Sequence, residues 1–297
     1  MIKKLVKKFI ERLNSIGKNQ NNEILLGKIL SKLNNEKKVI SSIHEVEFQV
    51  FSQWGDDGII QYLINHIEMP KTFVEFGIET YKEANTRFLL MHDNWSGLVM
   101  DGTKENIEAV YKQDLSWKYD LKAVEAFITT DNINHLLSSN GFSGEIGILS
   151  VDIDGNDYWV LKAINVINPV VIIVEYNSNF GNKRYISVPY KETFFRTSAH
   201  FSNLFFGASL PALYHLCTER GYTFIGCNSN GNNAYFVRND KIGNLPQPGL
   251  EAGYVVSKLK EDRDKDDNLT YMNKQQQTEV LKGMEVVNII TNTIERF

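Results

Sequence analysis

Thr72-Phe-Val-Glu-Phe-Gly77 and Ile146-Gly-Ile-Leu-Ser-Val-Asp-Ile-Asp-Gly155 decide the fold, because each is a short apolar run that ends in acids and a glycine. An apolar run of about five residues is strand length, and one without polar alternation belongs to a strand covered on both faces, as in a parallel sheet. Ser96-Gly-Leu-Val-Met-Asp101, Lys122-Ala-Val-Glu-Ala-Phe127 and Val170-Val-Ile-Ile-Val-Glu175 repeat the pattern. Helix-period segments lie between these runs, which is the βαβ signature. Tyr222-Thr-Phe-Ile-Gly226 and Asn233-Ala-Tyr-Phe-Val237, after a helix over 210–220, read as a terminal strand pair. The expectation is an α/β domain over residues 51–245, its sheet mostly parallel with an antiparallel terminal strand.

Outside those limits the pattern changes. Residues 1–50 read as a helical extension: Ile2, Leu5, Val6, Phe9, Ile10 and Leu13 share one face of a basic amphipathic helix, and Ile24 to Leu33 is periodic again. Residues 246–297 combine a charge-dense segment, Lys258 to Asp267, which reads as a solvated loop, with a helix pattern from Gln275 to Phe297. Its apolar positions Val280, Leu281, Met284, Val287, Ile289, Ile290 and Ile294 need a partner, and unpaired stripes at both ends make a homo-oligomer, a dimer, the expectation. Residues 176–209 form a long irregular insertion of the kind that carries substrate contacts.

The chain has 297 residues, 42% hydrophobic and 23% charged, with 32 Lys and Arg against 36 Asp and Glu. A net charge of −4 argues against nucleic acid as partner, since phosphate binding needs a basic surface. No stretch has the length of an integral membrane span, and two cysteines, Cys217 and Cys227, suit a reducing, cytoplasmic setting.

The chemistry lies at strand ends. In an open α/β sheet ligands bind beyond the carboxyl ends of the strands, and Glu75, Asp101, Asp152, Asp154 and Glu175 all fall there. Asp101, about 25 residues beyond the first turn, is placed to accept from ribose hydroxyls, which points to an adenosine-type cofactor. Gly77 is followed by Ile-Glu-Thr-Tyr-Lys with no second glycine, which disfavours a dinucleotide, and no Gly-x-x-x-x-Gly-Lys-Ser/Thr loop is present to hold ATP. A lone glycine after an acid suits a ligand with an amino-acid moiety.

These residues resemble the class I S-adenosylmethionine-dependent methyltransferases, and within them the FkbM-like family associated with O-methylation of sugars and secondary metabolites. The resemblance covers roughly 51–237. Phe73-Val-Glu-Phe-Gly77 is similar to the first cofactor motif, Val99-Met-Asp101 to the ribose-binding acid, and Glu125-Ala-Phe127 to the segment beside adenine. Ser150-Val-Asp-Ile-Asp-Gly155 with Val160-Leu-Lys-Ala163 resembles the family's Lys-x-Asp-x-Glu-Gly and Val-Leu-Lys-Gly pattern, with Asp154 in place of Glu. Ser52-Gln-Trp-Gly-Asp-Asp-Gly58 resembles a Ser-Gln-x-Gly-Glu-Asp segment that precedes the first strand in related bacterial proteins. The resemblance implies a Rossmann-like sheet, S-adenosylmethionine as cofactor, and cofactor contacts from Gln53, Glu75, Gly77, Asp101, Gly102 and Ala126. Asn85 and Thr86 supply donors where the second glycine is missing.

Methyl transfer also needs the acceptor hydroxyl's proton removed. Asp152, Asp154 and Glu175 form an all-oxygen set suited to Mg²⁺ or another divalent cation, which would bind a sugar diol; alternatively Asp152 alone faces the site and Asp154 caps the next helix. Asp152 and His200 are the candidate catalytic groups. Asn177, Tyr190 and Arg196 are candidate acceptor contacts, and the aromatic residues of the insertion read either as a sugar platform or as the insertion's own small core. Two rivals remain: a metal-dependent nucleotide-sugar glycosyltransferase using Asp152-Ile153-Asp154, and a non-catalytic module built on the same fold.

Overall fold

The computed structural model describes residues 20–297, so the basic segment Met1 to Leu13 lies outside the described residues. Its centre is a seven-stranded sheet of order β3-β2-β1-β4-β5-β8-β7. The strands are β1 Thr72–Phe76, β2 Ser96–Asp101, β3 Leu121–Glu125, β4 Gly144–Val151, β5 Ile167–Glu175, β7 Tyr222–Cys227 and β8 Asn233–Arg238. Strands β1 to β5 are parallel, and β8 inserts antiparallel between β5 and β7. This is a Rossmann-like α/β sheet with an antiparallel edge. The first two strands match the ranges read from the sequence; the others differ at their ends by one to three residues.

Why the runs become strands is visible in their burial. Val74, Leu98, Leu149 and Ile172 face one core cluster and Phe73, Val99, Ile148 and Ile173 the other. Helices cover both faces, so neither face of the central strands has a polar residue to show. In chain order the helices are α1 Gln20–Asn35, α2 Asp56–His66, α3 Arg87–Asp93, α4 Lys104–Tyr111, α5 Ile133–Ser139, α6 Asp157–Ala163, α7 Arg196–Ala199, α8 Leu210–Glu219, α9 Leu250–Gly253 and α10 Lys274–Val280. The order in which strands are added reverses about β1: β2 and β3 lie on one side of it, β4 and β5 on the other. The crevice between the ends of β1 and β4 is therefore the place where an open sheet accepts a ligand.

The paired acids Asp56 and Asp57 at the start of α2 are structural. Asp57 Oδ2 accepts from the backbone N–H groups of Val50, Phe51 and Ser52 and from the Ser52 hydroxyl at 2.7–2.8 Å, pinning the lead-in segment to the helix. Asp56 is fully buried and accepts from the Tyr235 hydroxyl, Asn233 and Asn228, tying α2 to β8 and the hairpin loop.

The C-terminal segment departs from its sequence pattern. The helix stops at Val280, and the chain then forms a hairpin of β9 Glu285–Asn288 and β10 Thr293–Arg296. Gly283 at φ 86° breaks the helix, and the Asn288 side chain accepts from the N–H groups of Ile290 and Thr291 to start the turn. Strand β9 also pairs with β6, Ile186–Ser187, inside the 176–209 insertion. Leu281 and Val286 then complete a small core with Phe180, Ile186, Val188, Leu204 and Phe205. Part of the stripe read as seeking a partner finds it in the same chain, through Val280, Leu281 and Met284, while Ile290 and Ile294 stay exposed. Nor is the charge-dense segment wholly solvated: Asp262 is buried and accepts from Thr270, the Met272 N–H and Gln277.

Candidate active site

A cavity of about 550 Å³ opens at the β1/β4 switch point, within the size range of small-molecule sites. Its floor is the ends of β1, β2, β3 and β4. The insertion covers it with Phe194 to Thr197, the β7–β8 loop adds Asn232 and Asn233, and the C-terminal segment adds Leu259 and Glu261. Of the residues read from the sequence as a site, the cavity gathers Gln53, Glu75, Gly77, Asn85, Asp101, Gly102, Ala126, Asp152, Asp154, Glu175 and Arg196.

The turn after β1 is shaped by Gly77, which has φ 68° and donates its N–H to the Met100 carbonyl. A Cβ at this position would lie 1.7 Å from the Asp152 carbonyl oxygen, so only glycine lets the first loop pass the end of β4. Glu75 is turned inward as a brace. It accepts from the N–H groups of Asn85 and Thr86 at 2.8 and 3.0 Å and from the Thr86 hydroxyl at 2.5 Å, fixing the segment that enters α3. Thr86 is thus fully buried and does not line the cavity; its donors belong to Glu75. Asp101 holds both loops above it, accepting from Glu79 N–H with one oxygen and from Thr103 N–H and the Asn106 amide with the other.

Burial pushes the Glu75 carboxyl up to about 7 and that of Asp57 up to about 6, against the donors that favour their charged forms. Both folded values exceed the unfolded ones, so the folded chain keeps protons that the unfolded chain has already released. Stability contributed this way is complete below the unfolded values and is lost as pH rises through about 6 to 7. Urea unfolding is expected to show stability falling between pH 5.5 and pH 7.5, and Glu75→Gln to remove roughly 2 kcal/mol of that fall. A flat profile in the parent protein would refute the assignment.

The second acids lie at the ends of β4 and β5. Asp152, partly exposed, Asp154, exposed, and Glu175, buried, each offer a carboxylate oxygen, and these lie within 4.8 Å of one another. Asp152 and Glu175 are both pushed well above the ordinary carboxylate range, first by burial and then by neighbouring acids, Asp154 and Asp157 for Asp152 and Asp152 and Asp154 for Glu175. Glu175 Oε2 is buried without a hydrogen-bond partner. Arg196 Nη1 bonds Asp154 at 2.7 Å, its Nη2 pairs with Glu261, and the guanidinium lies 3.8 Å over the Phe206 ring. Asp154 does not cap α6: the N-cap residue is Asn156, and the Asp157 carboxylate takes the N–H groups of Ile153 and Gly155.

Three further candidates stand apart from the cavity. His200 Nδ1 is bonded to Ser202 at 2.8 Å within its own loop, the ring stacks near Phe201, and the residue does not line the cavity. Tyr190 accepts from Thr130 N–H at 3.4 Å and packs edge-on to Trp159. Asn177 donates to the carbonyls of Leu204 and Phe206 and accepts from Asn179 N–H, so it staples the insertion together beside Glu175. The insertion's aromatic residues divide: Phe205 lies in its small core and Tyr176 is buried against Tyr254 in the main core, while Phe194 and Phe195, with Phe127, form the aromatic wall of the cavity. Glu261 and Asn232 carried no motif, and Asn233 was read only as the start of a terminal strand; a polar loop and a charge run gave no sign that they fold over the sheet's end.

No family model matches the chain, and no curated protein matches it. Solved structures do align with it. One is an S-adenosylmethionine-dependent methyltransferase from Clostridium acetobutylicum ATCC 824, at 11% identity and TM-score 0.39 over 62% of this chain and 90% of that one. Another is the M. capricolum TrmK bound to S-adenosylhomocysteine, at 10% identity and TM-score 0.35 over 65% of this chain and 74% of that one. The DszA carbon methyltransferase aligns at 12% identity and TM-score 0.38 over 62% of this chain, which spans about half the length of that protein, 53%.

Proposed function

We propose that this chain is an S-adenosylmethionine-dependent O-methyltransferase acting on a hydroxyl of a sugar or of a surface-polysaccharide precursor. The observation that carries the reading is the convergence, in one cavity at the switch point, of the Gly77 turn, Asp101 at the end of β2 and a carboxylate cluster at the ends of β4 and β5. Charge supports it as well. Glu75, Glu79, Glu83, Asp101, Asp152, Asp154, Glu175 and Glu261 line the cavity, and Arg196 is the one cation among the described residues that do. Such a field favours a sulfonium cofactor that also carries an ammonium, and an acceptor without phosphate or carboxylate. It disfavours a nucleotide-sugar diphosphate.

In this reading Asp101 accepts from the ribose hydroxyls, the backbone around Gly77 and Gly102 lets the cofactor lie against the strand ends, and Ala126 with Phe127 flanks the adenine. Asp152 and Glu175 take the acceptor's proton, burial having raised their affinity for it above the ordinary carboxylate range. Phe194 and Phe195 exclude water above them. The donor set also fits a divalent cation, being all oxygen with one buried and unpartnered atom at Glu175. Held by Asp152, Asp154 and Glu175, it would make a sugar hydroxyl more acidic.

Calorimetric titration of S-adenosylmethionine and S-adenosylhomocysteine, each with Mg²⁺ and with EDTA, tests the proposal. Micromolar binding that weakens about tenfold or more in Asp101→Ala is expected, a loss of about 1.4 kcal/mol. Binding of a uridine diphosphate in place of S-adenosylhomocysteine would move the assignment to glycosyl transfer, and binding of neither to a non-catalytic module.

A further inference from the structure

Helix α1 is attached to the protein by its narrow side. Gly27 packs against Val50 and Phe88, where a Cβ would come within 2.6–2.8 Å of both side chains, and Ser31 is buried on Gln61 of α2, whose side-chain Oε1 accepts its hydroxyl at 2.7 Å. The face turned the other way is apolar. Leu25, Leu26, Ile29, Leu30 and Leu33 are 41–61% exposed and fall at successive helical turns, and Val39 just beyond the helix is 68% exposed. An amphipathic helix that packs its small polar residues inward and its leucines outward has a second apolar surface to meet.

Charge says which surface. Residues 1–40 carry ten Lys and Arg against three Glu, in a chain whose overall charge is −4, so the remaining residues bear a net −11. Lys28 and Lys32 border the leucine face, and Lys37 and Lys38 follow it. A second copy would set this cationic stretch against its like. An anionic bilayer complements it, taking the leucines below the headgroups while the lysines stay at their level. We propose that the outward face of α1 docks on an anionic lipid surface. The proposal is independent of the catalytic reading, although the segment that packs beneath α1 also contributes Gln53 to the cavity.

Co-sedimentation of the full chain with vesicles tests it. Vesicles of phosphatidylglycerol and phosphatidylcholine in equal amounts are expected to bind the protein at low salt, at least about tenfold better than phosphatidylcholine alone, with release at about 0.5 M salt. The Leu26→Gln, Leu30→Gln, Leu33→Gln variant removes exposed side chains only; it is expected to keep the parent's helical circular dichroism and melting temperature and to lose vesicle binding about tenfold or more. Lys28→Glu with Lys32→Glu should reduce binding to the anionic vesicles alone. Equal binding of parent and triple variant would overturn the proposal. So would absence of binding to anionic vesicles, including the case in which the parent sediments as a dimer and the triple variant as a monomer, which would assign the face to a second copy.

Discussion

Gly77→Ala is expected to cost at least about 3 kcal/mol of stability and to abolish cofactor binding. Two terms add here. The residue sits at φ 68°, where a side chain costs roughly 1–2 kcal/mol, and the new methyl would meet the Asp152 carbonyl oxygen at 1.7 Å. The obstacle is main chain at the end of β4, so no rotamer change relieves it; the turn after β1 and the end of β4 must separate. Those two segments are the walls of the crevice. Gly144→Ala isolates the second term, because Gly144 has nearly the same φ, 69°, and nothing within 4 Å of the added carbon. Urea unfolding of the pair should show the Gly77 variant losing at least about 2 kcal/mol more than its control. Equal losses would mean that the close approach carries no energetic weight.

The same glycine shows what a sequence can and cannot disclose. Strand positions need only local facts: buried parallel strands admit no polar alternation, and their acids fall at the carboxyl ends, so the cavity's floor was legible at Glu75, Asp101, Asp152 and Glu175. The roles of those acids were less so. Glu75 looks like a ligand group by position, yet it is taken up by Asn85 and Thr86, because the helix entry that replaces a second glycine must satisfy its own N–H groups. The roof was not legible at all. Glu261 reaches Arg196 across 65 residues, and β9 meets β6 across about 100, through contacts that leave no periodic trace in either segment. Gln275 to Phe297 has helical spacing for its apolar residues, but the Val286-Val287 run and the Asn288 turn suit a hairpin equally well, and the small core of the insertion decides between them.

Glu175→Gln should separate stability from activity. The carboxyl is 6% exposed, it lies beside Asp152, and its Oε2 has no partner, so the folded state either crowds two negative charges or keeps a proton between them. Either arrangement is costly in the absence of a bound cation or substrate. An amide of the same shape carries no charge, and its N–H can donate to Asp152, so the variant is expected to be more stable than the parent by about 1–3 kcal/mol at pH 7.5. The gain should come with a loss of methyl transfer of about 10²–10⁴-fold, because the replacement can neither accept the acceptor's proton nor ligate a cation with charge. Affinity for S-adenosylhomocysteine should change little, since Glu175 lies at the end of β5, three strands from Asp101 on β2 and two from the Gly77 turn after β1. Unfolding midpoints, turnover and cofactor titration on the one variant therefore read three different roles. A variant less stable than the parent would show that the unpartnered carboxylate supports the fold, and one with undiminished turnover would remove Glu175 from the chemistry and leave Asp152 to act alone.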